Sequence, residues 1–202
     1  MTHSTPRGRP RHYDRDTALD QITQVFWKHG FAATSLDMIS EAAGMKRPSL
    51  YAAFGDKQAM FLLTQTRFAE RLSKELSEIL KQPAPPSIVL NTFFERLIEI
   101  YTGGTNQQTG CFVFSVGLIE ATTEKDIGAL IKQAYMNMQE DIEFALERAV
   151  ASGQLQNHGN TTALSELLVA LGHSLAIRAR SGEEPTDLRK LAERTIKQLL
   201  TS

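Results

Sequence analysis

Apolar residues recur every three or four positions along almost the whole of this 202-residue chain, and strand-like alternation is scarce. That period predicts an all-α fold of about nine helices. The first spans about residues 16–29, with Ala18, Ile22, Val25, Phe26 and His29 on one stripe and Gly30 as its stop; Trp27 and Phe31 belong to the same small core. Leu36, Ile39 and Ala43 lie on one face of a short second helix, which Gly44 ends because glycine enters the left-handed conformation at no steric cost. Met45 anchors the turn, and Pro48 sits in the first turn of a third helix, where proline is tolerated. That helix buries Leu50 and Phe54 and turns Arg47, Ser49, Tyr51 and Ala52 outward. Two short amphipathic helices across a glycine turn, with phosphate- and base-binding residue types exposed, predict a helix presented to the DNA major groove. A buried helical hairpin is the competing reading.

Around this unit the pattern continues. Thr34 and Asp37 have capping-box spacing, and Thr34 and Ser35 compete for the cap, leaving the other to donate to a phosphate. A long helix opens at Lys57, against the helix dipole, which makes sense with a phosphate in front of it. The run Gln82-Pro83-Ala84-Pro85-Pro86 breaks the chain. Beyond it, helices are predicted at about 87–101, 112–121, 124–152, 161–181 and 186–200. The organisation is a basic arm over 1–13, a helix-turn-helix DNA-binding domain over 14–60, and a larger helical sensing and dimerisation domain over 61–202.

Charge sharpens this division. The formal net charge of −1 splits into +2 over residues 1–60 and −3 over the rest. Arg7, Arg9 and Arg11 crowd the arm between prolines and a glycine. Arg9 and Arg11 are placed at a minor groove, where arginine is favoured, or else in a solvated tail that adds general attraction. No apolar run approaches the roughly 18–20 residues that span a bilayer, and the polar, arginine-rich start is no signal peptide. One cysteine, Cys111, excludes an internal disulfide, so the expectation is a cytoplasmic protein.

The stretch Phe26–Phe61, FWKHGFAATSLDMISEAAGMKRPSLYAAFGDKQAMF, resembles the DNA-binding domain of TetR/AcrR-type one-component regulators. Gly30-Phe31, Thr34, Ile39 with Ala43-Gly44, Ser49-Leu50-Tyr51, Phe54 and Lys57 carry the likeness in order. The resemblance implies that Lys46, Arg47, Pro48 and Ser49 read base edges or nearby phosphates. Arg47 would pair with guanine O6 and N7, while Thr34, Tyr51 and Lys57 would meet phosphates. Ala53 stands where the family commonly has a histidine that touches phosphate, and Ser40 where it has alanine, a small-for-small exchange.

One short recognition helix makes too few contacts for operator affinity, so a homodimer on double-stranded DNA is expected. Leu164, Leu167, Leu168, Leu171 and Leu175, with Leu188, Leu191 and Ile196, suit a four-helix bundle across a two-fold axis, or burial within one subunit. The middle helices then hold the pocket for a small effector. Its candidate walls are Phe93, Leu97, Tyr101, Cys111, Phe112, Phe114, Tyr135, Met138 and His173, each of which also suits ordinary core. Cys111, after a polar loop at a helix start, reads either as a reactive thiolate or as a small buried residue; some regulators of the resembled kind sense reactive species there. The histidines have no metal-ligand spacing and no catalytic constellation is visible, so neither metal, cofactor nor enzyme is expected. The alternative function is a helical ligand-binding protein that no longer binds an operator.

Overall fold

A computed structural model of the chain describes residues 14–103, 109–156 and 160–201; the predicted basic arm, with Arg9 and Arg11, lies outside them. The described residues form α1 (Arg15–Ala33), α2 (Leu36–Ala42), α3 (Arg47–Phe54), α4 (Lys57–Leu80), α5 (Pro86–Tyr101), a π-helical turn (Phe112–Val116) leading into the short α6 (Gly117–Glu120), α7 (Lys125–Ala151), α8 (Thr161–Arg180) and α9 (Pro185–Thr201). No strand occurs among them. The contacts cluster into two units, the first ending at Thr64 and the second beginning at Gln65, so the boundary falls within α4.

In the first unit, α1 starts on Asp14, whose carboxylate accepts from Asp16 N at 3.1 Å and Thr17 Oγ1 at 2.8 Å. Ala18, Leu19, Ile22, Phe26 and Trp27 are buried as a stripe, whereas His29 faces solvent. Gly30, at φ 75° and ψ 172°, interrupts the helix, and one further turn carries Phe31 back over the core. There Phe31 stacks on Phe26 at 6.2 Å and meets Phe61 at 5.1 Å. Burying an aromatic or aliphatic side chain of this size contributes about 1.5–3 kcal/mol, so this cluster carries much of the stability of a small unit.

The turn between α2 and α3 is a Schellman motif. Gly44, at φ 60°, lets its own N–H reach Glu41 O and the Met45 N–H reach Ser40 O, at 3.2 and 3.0 Å. Met45 is buried beneath it. Ser40 corrects the expectation of a neutral exchange, because its hydroxyl donates to Met45 O and clamps the turn a second time.

The second unit is a bundle in which α5 packs against α8 and α9, and α7 against α8. Phe93, Phe94, Leu97, Ile98 and Tyr101 of α5 face Leu168, Val169, Leu175, Leu188 and Ile196 in one core. Arg148 of α7 caps α4 by donating to the carbonyls of Leu80, Lys81 and Gln82 at 2.8–2.9 Å, placing a cation where the helix dipole is negative. Glu95 and Arg189 form a paired contact between α5 and α9 at 2.8 and 2.9 Å. The predicted apolar helix over 112–121 is instead a π turn and four α-helical residues. Gln65 Nε2 donates to Phe112 O at 3.0 Å across this segment.

Candidate nucleic-acid interface and apolar cleft

Helix α3 is amphipathic over only eight residues. Leu50 and Phe54 anchor it in the core, while Lys46, Arg47, Pro48, Ser49 and Tyr51 are exposed along its start and outer face. Pro48 costs no hydrogen bond there, and the Ser49 and Leu50 amides donate to Lys46 O at 2.9 and 3.1 Å. Tyr51 is 46 % exposed. Most of the side chains expected at DNA are therefore exposed, with three exceptions in detail.

Arg47 is already engaged. Its Nε lies 3.0 Å, and a terminal nitrogen 2.6 Å, from Asp37 Oδ1 on α2, and this hydrogen-bonded pairing raises the guanidinium pKa further. Nothing local in the sequence marks Asp37 as the partner, ten positions away. Lys57 needs no phosphate to explain its place: its ammonium lies 4.4 Å from the Phe31 ring centroid. Asp56 caps α4 beside it by accepting from Ala59 N at 2.8 Å.

Thr34 corrects the third expectation. Ser35 takes the cap of α2, accepting from Met38 N, so the box of Thr34 with Asp37 does not form. Thr34 is buried, and its hydroxyl donates to Gly30 O at 2.6 Å, so that proton is not presented to a phosphate. It ties down the interrupted end of α1 instead.

In the second unit an apolar cleft of about 730 Å³ opens between α6, α7 and α8. Of the residues expected to wall a pocket, Phe114, Tyr135 and His173 line it. Leu97, Tyr101 and Phe112 do not; all three are fully buried core, because α5 and the π turn face the centre of the bundle. Phe93, Cys111 and Met138 border a separate cavity of about 30 Å³ with Phe114, close to the room one water needs. Pattern reading passed over Leu118, Ile131, Lys132, Ile177 and Arg180, which complete the cleft. Isolated apolar residues on surface faces give no signal until packing sets them side by side.

Of the two readings of Cys111, the structure favours the small buried residue over the reactive thiolate. The residue is buried, and desolvation pushes the thiol up to about 11, outweighing the amides of Phe114 and Val113 that act the other way. Burial likewise raises the Tyr101 phenol and lowers the His173 imidazole. Most of the α8 leucines expected at a dimer surface, Leu168, Leu171 and Leu175, lie inside the subunit, leaving Leu167, Ala170 and Ile177 exposed. Among the described residues no three His, Cys, Asp or Glu side chains form a metal cluster, and no helix is long and apolar enough to cross a membrane.

Comparison with known proteins converges on one family. Residues 18–64 match the family described as bacterial regulatory proteins, tetR family. The HTH-type transcriptional repressor ComR of Escherichia coli (strain K12) is 29 % identical over 192 residues, 95 % of this chain and 91 % of that protein. The HTH-type transcriptional repressor BdcR of the same organism is 32 % identical over 104 residues, 52 % and 51 % of the two chains. A cysteine mutant of the TetR family transcriptional regulator CifR, solved with a 26 bp double-strand operator DNA, superposes with a TM-score of 0.81 at 23 % identity over 94 % of this chain and 98 % of that one. Residues 18–64 form a DNA-binding domain of the tetR family of bacterial regulatory proteins, and the chain is a helix-turn-helix transcriptional regulator.

Proposed function

We propose that this regulator is a cytoplasmic repressor, without enzymatic activity, that binds an operator as a homodimer and leaves it when a small molecule occupies the cleft of the second unit. The observation that carries the reading is the outer face of α3, where Lys46, Arg47, Ser49 and Tyr51 stand exposed on a helix anchored by Leu50 and Phe54. In this reading residues 14–60 bind DNA and residues 61–202 sense and dimerise. Lys46, Ser49 and Arg47 face base edges and adjoining phosphates, Pro48 packs against the groove, and Tyr51 and Lys57 hold the backbone. Dimerisation uses the exposed sides of α8 and α9 around Leu167 and Ala170, and sets two recognition helices about one DNA turn apart.

The switch is a shift between two populations of the dimer. A ligand that prefers the arrangement with mismatched helix spacing releases DNA, and a coupling of roughly 1–3 kcal/mol per event is ordinary for such a system. The cleft with Phe114, Tyr135 and His173 is favoured over Cys111 as the sensor, because a buried thiol held near pKa 11 is protonated and slow to react. CifR in its operator complex offers a precedent for the DNA-binding half, and the repressor ComR for the sign of regulation.

An electrophoretic mobility shift on the DNA flanking the gene tests the reading, with light scattering to follow assembly. The wild type is expected to bind as a dimer. Leu167→Glu, at an exposed position, is expected to yield folded monomers that no longer shift DNA. A wild-type protein that ignores this DNA at low salt, or shifts it as a monomer, overturns the reading.

A further inference from the structure

The cleft that the preceding reading gives to an effector has a one-sided charge pattern. Its walls are apolar over most of their extent, and Leu118, Ile119 and Ile177 remain 61 %, 73 % and 65 % exposed. Lys132 and Arg180 stand among them, and no Asp or Glu lines the cleft. Arg180 is held in place by a 2.8 Å bond from a guanidinium nitrogen to Thr109 O. Within the wall, the His173 ring lies 4.3 Å from Phe114 and 5.7 Å from Tyr135. Its Nε2 is buried and has no hydrogen-bond partner among the described residues. A buried ring nitrogen left unpaired carries a desolvation cost that an acceptor on a ligand removes. Burial also lowers its pKa, and a neutral imidazole carries one N–H that an acceptor can meet.

Two cations, an unpaired ring nitrogen and no competing carboxylate select the sign of the guest. Its body is selected by the walls, and a site of this volume falls within the roughly 300–1,000 Å³ typical of small-molecule sites. We propose that the cleft takes an apolar monocarboxylic acid, its body against Leu118, Ile119 and Ile177 and its carboxylate toward Lys132, Arg180 and His173. This rests on the effector reading and adds the class of ligand. A neutral apolar molecule would leave the ring nitrogen unpaired, and an amine would meet two like charges.

Calorimetric titration of the full chain with decanoate, 1-decanol and decylamine, each below its aggregation concentration, tests it. Decanoate is expected to bind about tenfold more tightly than decanol, as a charge-assisted contact allows, and decylamine most weakly. Lys132→Glu, at an exposed position that leaves the core untouched, is expected to lower decanoate affinity several-fold and leave decanol unchanged. Leu118→Trp is expected to weaken both by filling the cleft. Equal affinities for the three compounds, all lost in Leu118→Trp, overturn the carboxylate assignment and leave the effector cleft standing. Decanoate binding that neither substitution alters overturns both readings, and no decanoate binding at all overturns the carboxylate assignment.

Discussion

Arg47 on α3 is held by Asp37 on α2, with both contacting nitrogens within 3.0 Å of one carboxylate oxygen on an open surface. The residue best suited to read guanine thus has an internal competitor in the free protein. A guanine in the right register replaces the carboxylate with two acceptors, whereas a lone phosphate must break the pair for a less directional contact. Asp37→Asn is therefore expected to raise affinity for random DNA more than for the operator, and to steepen the salt dependence. The gain should vanish in an Arg47→Ala background. Fluorescence anisotropy at two salt concentrations across this double-mutant cycle checks it; a gain that survives Arg47→Ala means Asp37 merely repels the duplex.

Lys57 has two roles that separate experimentally. Its ammonium over the Phe31 ring stabilises the first unit by about 0.5–1 kcal/mol at a partly exposed site, and its charge serves the DNA backbone. Lys57→Ala should lower the melting temperature slightly and weaken operator and random DNA alike. Phe31→Leu should reproduce only the stability loss. Melting curves beside binding isotherms distinguish these, and a Lys57→Ala defect confined to the operator contradicts the backbone role.

Gly110 is the tightest backbone position near the cleft. It has φ 62°, and an added Cβ would lie 2.8 Å from Ser115 Oγ and 2.9 Å from Ala176 O. The backbone oxygen cannot step aside as a flexible side chain can. Gly110→Ala is expected to destabilise the second unit by about 1–3 kcal/mol, the cost of a strained backbone site, and to disturb ligand binding by displacing the π turn. Urea denaturation provides the measurement; a loss below 0.5 kcal/mol (roughly the scale of surface changes) contradicts the geometry.

Alkaline stability follows from the buried thiol. Cys111 ionises near pH 9.0 when unfolded and near 11 when folded, so over this window the unfolded chain releases its proton first. Stability is fully present below about pH 9 and is lost as pH rises toward and through 11, by about 2–3 kcal/mol at about 1.4 kcal/mol per unit. The raised Tyr101 phenol acts in the same direction at higher pH. Cys111→Ala should show a shallower alkaline decline of melting temperature than wild type. In the native protein, an aromatic disulfide reagent should label Cys111 only as fast as the surrounding structure opens. Rapid labelling at pH 7 restores the thiolate reading.

Local order in the sequence carried most of the recognition unit. The stripe from Ala18 to Phe26, the glycine stop at Gly44 and the Leu50–Phe54 spacing each act within one or two helical turns, and burial follows them. Lys46, Arg47, Ser49 and Tyr51 stay exposed because Leu50 and Phe54 take the buried positions of this short helix. Thr34 and Ser35 both fit one cap, and only the interrupted end of α1, which engages the Thr34 hydroxyl, decides that Ser35 takes it.

By itself the sequence determined that the fold is helical, roughly where most helices lie, and that a charged short helix is exposed, because these depend on neighbours three or four residues away. Tertiary structure alone decided that Asp37 meets Arg47, that Phe31 meets Lys57, that Cys111 is desolvated, and that Leu118, Lys132, Ile177 and Arg180 share a cleft. Those outcomes join segments from different helices, and desolvation depends on everything packed around a group rather than on its position along the chain.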